Sequence, residues 1–294
     1  MVAGYLAARL RLLPDSASQV LARFVFVIAL PSVIFMSLSR ISIAEFFDWQ
    51  YIGALGGGML SMFLIGFVVA RYAFPGSLTA SAVHALTSSY SSTAYIGLPL
   101  ILTIFGEAAR VPGIIGAIIT GLVFAPLAII IAEYDRGRNG DAHFLSPLLA
   151  VITRPPIIAA ALGLAVSASG VAVPLPVGTF LNLLAGAFVP CALFAAGLFI
   201  AGCRIRGASA EIGWLVFAKL LLHPLITWWL AFRVFELDPL FATVAVVQAA
   251  LPSGVPVFVL AQHYGSFVTR SSAAIALSTA VSVLTLSMLL LLLG

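Results

Sequence analysis

The sequence predicts an all-α integral membrane protein: an inverted repeat of five helices each, about ten transmembrane helices in all, with the first truncated and the fourth and ninth broken at prolines. Three observations lead to that class. Of 294 residues, 62% are hydrophobic and 8% are charged, whereas soluble domains carry about 25% charged residues. The apolar runs recur at close to the ~20 residues that a membrane helix needs. Two proline-broken apolar segments sit in corresponding places of the two halves, IGLPLILTIFG from Ile96 to Gly106 and AALPSGVPVFVLAQHYG from Ala249 to Gly265.

Taken in order, the first apolar run, MVAGYLAA, has eight residues before Arg9, too few to cross ~30 Å of hydrocarbon at about 1.5 Å per residue. Its basic residues follow the apolar run instead of preceding it, so it is not a signal peptide. The second helix is expected from Gln19 to Ser39, the third from Tyr51 to Tyr72, the broken fourth from Leu78 to Phe105 and the fifth from Val111 to Tyr134. After the polar loop DRGRNGDAH come a sixth from Ser146 to Ser169, a seventh from Thr179 to Gly202, an eighth from Glu211 to Phe235, a broken ninth from Pro239 to Tyr264 and a tenth from Phe267 to Gly294.

The halves match in the spacing of their breaks. Pro31 precedes Pro99 by 68 residues, and Pro190 precedes Pro252 and Pro256 by 62 and 66. This divides the chain into repeats over 1–138 and 139–294. Five is odd, so the second copy enters the membrane upside down relative to the first. Arginines orient the bundle: Arg9, Arg11, Arg71, Arg136, Arg138, Arg204, Arg206 and Arg270 fall in odd loops, against Arg40, Arg110 and Arg233 in even ones. Odd loops are therefore expected in the cytoplasm and the C-terminus outside, in a multi-pass protein of the plasma (inner) membrane. In that setting the net charge of +4 reports orientation and no nucleic-acid partner is expected. Cys191 and Cys203 lack CxxC spacing and read as packing residues.

Paired helix interruptions in two inverted halves mark the binding site of a secondary transporter. A proline inside a membrane helix removes an N–H and displaces the carbonyl of the preceding turn, and the freed groups need partners in protein, water or cargo. Each second half-helix starts with unpaired N–H groups at the positive end of a dipole, so the regions after Pro99 and around Ser253 and Gly254 favour an anion. Carbonyls ending the first half-helices, near Tyr95 and Gln248, suit a cation or protonated group. Ser92, Thr93, Tyr95, Gly97, Pro99, Lys219, Gln248, Pro252, Ser253, Gly254 and Pro256 are the candidate substrate-binding residues. Ser88 and Ser89 read instead as serines bonded to their own helix.

Lys219 lies eight residues inside the eighth helix, about 12 Å along its axis. It is either a counter-charge or proton relay inside the bundle or a snorkelling interface residue. His223, one turn on, faces the same side and joins it as a possible relay group. His84 and His263 are expected nearer the interfaces. No enzyme is indicated, because GxxxxGK and HExxH are absent and Glu45, Asp48, Glu107, Glu236 and Asp238 fall at loops or helix ends. Neither cofactor nor metal is expected. Alternatives are a sodium/bile-acid-symporter-like carrier, for which Gln248 is nearly the lone amide, and a non-transporting receptor or assembly subunit, which needs no matched breaks.

Seven segments in order carry a family resemblance: GYLAARLRLL, FVFVIALPSVIF, YIGLPLILTIFGEAA, RPPIIAAALGLAVS, PCALFAAGLFIAG, KLLLHPL and ALPSGVPVFVLAQHYG. Over nearly the whole chain the sequence resembles the auxin efflux carrier family, which includes plant PIN-type carriers and bacterial malonate or other organic-acid permeases. The resemblance implies a scaffold of helices one, two, six and seven, and a transport unit in which the fourth and ninth cross near mid-membrane. It further implies carriage of a small organic anion, embedding in a lipid bilayer and homodimerisation through the scaffold. The family's full first helix implies roughly a dozen further residues before this start. Two positions depart from its pattern: Ser92 and Pro256 stand where many members carry asparagine, removing two amide donors for a carboxylate.

Overall fold

The computed structural model describes residues 2–14, 16–40, 47–74, 76–137, 153, 155–202 and 210–293. All regular structure among them is helical, and one isolated antiparallel β-bridge joins Ser91 to Ser253. Among the described residues, six helices are long and apolar enough to cross a membrane: Ala17–Leu38, Trp49–Ala73, Thr93–Ile119, Leu175–Phe199, Ala210–Val234 and Val268–Leu292. Shorter apolar helices run Pro155–Ser169 and Pro239–Ala250. Most coincide with the sequence-predicted runs to within a few residues, the seventh starting earlier, at Leu175; Thr93–Ile119 instead joins the later part of the expected fourth run to the start of the expected fifth, which continues through Thr120–Phe124 to Ala125–Gly137, and Pro239–Ala250 covers only the first part of the expected ninth. The expected start of the sixth helix, most of the central loop, Glu45, Arg138, Cys203, Arg204 and Arg206 lie outside the described residues. Thr93–Ile119 turns at Gly106, whose φ of 68° is left-handed and strained for any residue with a Cβ.

The helix Ala210–Val234 shows most directly what solvent the fold is built for. At spacing four, Phe217, Leu221, Leu225 and Trp229 are 50–61% exposed, whereas Lys219, His223 and Thr227 are fully buried. A soluble amphipathic helix does the reverse. Here the outward stripe is apolar and the inward one polar, the arrangement that lipid requires. Trp49–Ala73 carries a comparable outward stripe of Leu60, Leu64 and Val68. The protein is an integral multi-pass membrane protein.

Contacts divide the chain into two compact units, each drawing on both halves of the sequence. One comprises Met1–Asp48, Ala94–Ile118 and Ile152–Cys203. Within it, Pro155–Ser169 and Leu175–Gly186 pack on Leu30–Leu38, and the short helix Val2–Arg9 packs on Phe188–Gly202. Its core includes Val25, Leu30, Ile34, Leu38, Leu98, Ile101 and Phe188. The other unit comprises Trp49–Thr93, Ile119–Val151 and Arg204–Gly294. There Trp49–Ala73 packs on Leu78–Ser89 and on His223–Trp229, and Pro239–Ala250 packs on Val268–Leu293. Tyr51, Leu55, Met59, Met62, Leu86 and the run Val244–Val247 fill its core.

A recurrent device accommodates the internal prolines. The π-turns Val25–Ala29, Thr93–Gly97, Thr120–Phe124 and Ala218–Leu222 each end two residues before a proline: Pro31, Pro99, Pro126 and Pro224. Leu30 N–H donates to the Val25 carbonyl and His223 N–H to the Ala218 carbonyl, both i→i−5. The widened turn makes room for the proline ring and absorbs the missing donor, so the helix continues. Pro99 therefore lies inside a helical run, and the interruption of the fourth helix is at Tyr90–Ser92, between Leu78–Ser89 and the turn at Thr93. The expectation that the break falls at Pro99 is corrected accordingly. In the ninth helix the interruption, Leu251–Gly254, does contain its proline, Pro252.

Candidate functional site

The second unit brings the two interruptions together, and each supplies the other's missing hydrogen bonds. A helix end leaves four N–H or four C=O groups without intrahelical partners, and burial makes each costly if unpaired. Ser92 N–H donates to the Pro252 carbonyl (2.9 Å) and Gly254 N–H to the Tyr90 carbonyl (3.1 Å). Ser253 Oγ donates to the Thr87 carbonyl (2.6 Å), and Ser253 N–H to Ser278 Oγ on the last helix (3.3 Å). The backbones approach closely enough that a Cβ on Gly254 would lie 2.8 Å from the Tyr90 ring. This local extended pairing is possible because Leu251–Gly254 and Tyr90–Ser92 have left the helical region: Tyr90, Leu251 and Gly254 adopt ψ values of 107°, 151° and 147°.

Lys219 reaches into this junction. Its Nζ donates to the Ala249 carbonyl (2.5 Å) and to Ser91 Oγ (2.9 Å), and lies 3.1 Å from His223 Nδ1. The side chain is fully buried, and among the described residues no carboxylate pairs with it. Snorkelling to the interface is thereby excluded, since the ammonium points into the protein. The π-turn at Ala218–Leu222 contains Lys219 and delivers His223 to the same side one turn later. His223 Nε2 is buried with no hydrogen-bond partner. Beside the junction, Gln248 Oε1 accepts from Tyr51 Oη (3.2 Å).

Of the sequence-predicted residues, Ser92, Thr93, Lys219, His223, Gln248, Pro252, Ser253, Gly254 and Pro256 fall in this unit. Pro252 contributes its carbonyl, and Gly254 and Pro256 start the nine-residue helix Val255–His263. Thr93 N–H donates to the Ser91 carbonyl (2.8 Å) as the chain re-enters a helix. Tyr95, Gly97 and Pro99 belong to the first unit. There Tyr95 Oη donates to the Ala22 carbonyl (3.4 Å), Gly97 caps Leu98–Phe105, and the Pro99 carbonyl accepts from Thr103 Oγ1 (2.8 Å). Carbonyls of the first break are accordingly those of Thr87 and Tyr90, upstream of the expected Tyr95. Ser88 and Ser89 both donate to the Ala85 carbonyl at 2.9 Å, the self-bonded role expected of them.

His84 is buried between the rings of Phe74 and Phe267, with Nε2 3.9 Å from Glu211, beside residues that stand at the ends of their helices. Sequence reasoning missed Ser91, Tyr90 and Ser278. Ser91 sits in the run SSYSST, where composition marks the cluster but cannot tell which hydroxyl turns inward. Ser278 carries no local signal at all.

A family profile described as "Membrane transport protein" matches residues 1–139 and 143–290. The chain belongs to the auxin efflux carrier family. Among its relatives, a Rhizobium meliloti (strain 1021) protein named "Putative malonate transporter" is 30% identical over 289 residues, covering 98% of this chain and 90% of that one. An "Uncharacterized transporter" from Methanothermobacter thermautotrophicus is 27% identical, covering 96% and 91%. The "Uncharacterized transporter YfdV" of Escherichia coli (strain K12) is 25% identical, covering 95% and 89%. This auxin efflux carrier family chain is thus similar to transporters along nearly its whole length.

Proposed function

We propose that this protein is a secondary carrier of small organic anions, mono- or dicarboxylates, that works by alternating access at two interrupted helices. The observation that carries the reading is the junction itself. Leu251–Gly254 pairs with Tyr90–Ser92, the positive end of Val255–His263 starts from it, and the buried cation Lys219 lies against it. Interrupted helices persist at membrane depth only where protein or a cavity satisfies them, and half-helix N-termini are suited to a carboxylate. A membrane transport family and a relative named for malonate transport point the same way.

In this reading the chain has ten helices in two inverted repeats, 1–138 and 139–294, whose fourth and ninth members cross. Helices one, two, six and seven serve as the scaffold, and a homodimer forms through it. The first compact unit contains the described parts of those four helices together with Ala94–Ile118. Residues Ser92, Thr93, Gln248, Pro252, Ser253, Gly254 and Pro256, all of the second unit, are the proposed substrate surroundings. Lys219, whose three donors already face protein acceptors, acts on the anion through its field, with His223 beside it as the relay candidate. The protein resides in the inner membrane with odd loops in the cytoplasm. Reconstituted protein preloaded with unlabelled malonate should exchange it for labelled malonate or a related mono- or dicarboxylate. Absence of counterflow with every small carboxylate tried overturns the carrier reading and favours a receptor or assembly role.

A further inference from the structure

Lys219 does more than supply a positive charge. Its three partners are a helix-terminal carbonyl, a hydroxyl at a helix interruption and an imidazole nitrogen, all within hydrogen-bond reach of one point. In secondary transporters generally, unwound backbone and the C-terminal ends of half-helices hold the coupling cation. Two such ends meet at this point: Pro239–Ala250, whose last turn includes the Ala249 carbonyl, and Leu78–Ser89, followed at once by Tyr90 and Ser91. An ammonium with three N–H groups matches the three acceptors, the Ala249 carbonyl, Ser91 Oγ and His223 Nδ1.

We infer that Lys219, as an ammonium, occupies a built-in monovalent-cation site, so that the carrier proposed above needs no sodium as coupling ion. The inference rests on that reading for its consequence in transport, but not for the site. Tethering the cation removes the cost of gathering a free ion, and burial shields it from exchange. Among the described residues its partners are a carbonyl, a hydroxyl and an imidazole, with no acidic side chain. Because Lys219 is fully buried, a truncated side chain should leave a socket whose three acceptors suit a small primary ammonium ion.

The test is chemical rescue read by thermal unfolding of detergent-purified protein, which requires no cargo. Lys219→Ala, prepared in choline buffer, should unfold well below the wild type and rise by roughly 5 °C or more on adding methylammonium at tens of millimolar. Tetramethylammonium, which has the charge but no N–H donor, should not rescue it, nor should methylammonium rescue Lys219→Met, whose side chain fills the socket. Wild type should respond to neither ion and should unfold at the same temperature in sodium and in choline. Failure of methylammonium to stabilise Lys219→Ala, equal rescue by tetramethylammonium, or sodium-dependent stability of the wild type each overturns the cation site. Should Lys219→Ala not fold, the sodium-versus-choline comparison on wild type decides alone, because a resident ammonium leaves no room for sodium. If the parent moves no organic anion, the carrier reading fails while these thermal results still judge the site.

Discussion

Lys219 Nζ lies 2.5 Å from the carbonyl oxygen of Ala249, joining the middle of one membrane helix to the interrupted end of another. The two residues are 30 positions apart in sequence, and neither is polar surface in the finished fold. A buried ammonium costs several kcal/mol unless it is hydrated or paired, and a buried carbonyl without a donor costs about 1–3 kcal/mol. Each offsets part of the other's penalty. The same economy governs the rest of the junction, where Ser253, Gly254 and Ser92 supply donors to carbonyls that the facing segment has left open.

Gly254→Ala should damage both folding and transport. The added methyl would meet the Tyr90 ring at 2.8 Å, and overpacking of this kind costs about 1–3 kcal/mol. A fall in unfolding temperature with loss of counterflow is expected. Unchanged values for both would show that the junction opens far more readily than this geometry allows.

Ser253→Ala removes the donor to the Thr87 carbonyl, a bond of 2.6 Å between fully packed segments. Leaving that carbonyl unpaired should cost about 1–3 kcal/mol, more than the roughly 0.5 kcal/mol typical of a surface change. Ser88→Ala, which loses only a bond to its own helix, is the comparison. The Ser253 variant should melt clearly below the Ser88 variant; the reverse order contradicts the assignment.

Pro224→Ala restores a backbone N–H where the π-turn Ala218–Leu222 now compensates for its absence. In an isolated helix the change is worth up to about 3 kcal/mol of added stability. Here it should let the turn tighten and rotate Lys219 away from Ser91 and Ala249. Counterflow is expected to drop at least tenfold while the unfolding temperature stays level or rises. Full activity with raised stability would mean that the π-turn is not what aims Lys219.

Topology offers an independent check. A reporter fused after Gly294 should read as non-cytoplasmic and one inserted in the loop between Arg136 and Asp141 as cytoplasmic, following the arginine asymmetry. The opposite pattern would remove the inverted-repeat assignment.

The helices and their solvent were determined by the sequence alone. Length and uniform apolarity are local properties, and a run such as Trp49–Ala73 has no soluble way to hide its surface. That the two breaks belong together was also legible, because prolines and glycines punctuate a chain wherever they stand. Only the tertiary structure decided where the fourth helix parts: Pro99 advertises a break, but the π-turn at Thr93–Gly97 absorbs it locally, and the chain opens instead at Tyr90–Ser92, where the facing segment supplies donors. It also decided which way Lys219 turns. A lysine in the first half of a membrane helix can bend to water or turn inward, and its own neighbours in sequence do not choose. The choice was made by acceptors brought from elsewhere, Ser91 from 128 positions away and the Ala249 carbonyl from 30, which no local pattern encodes.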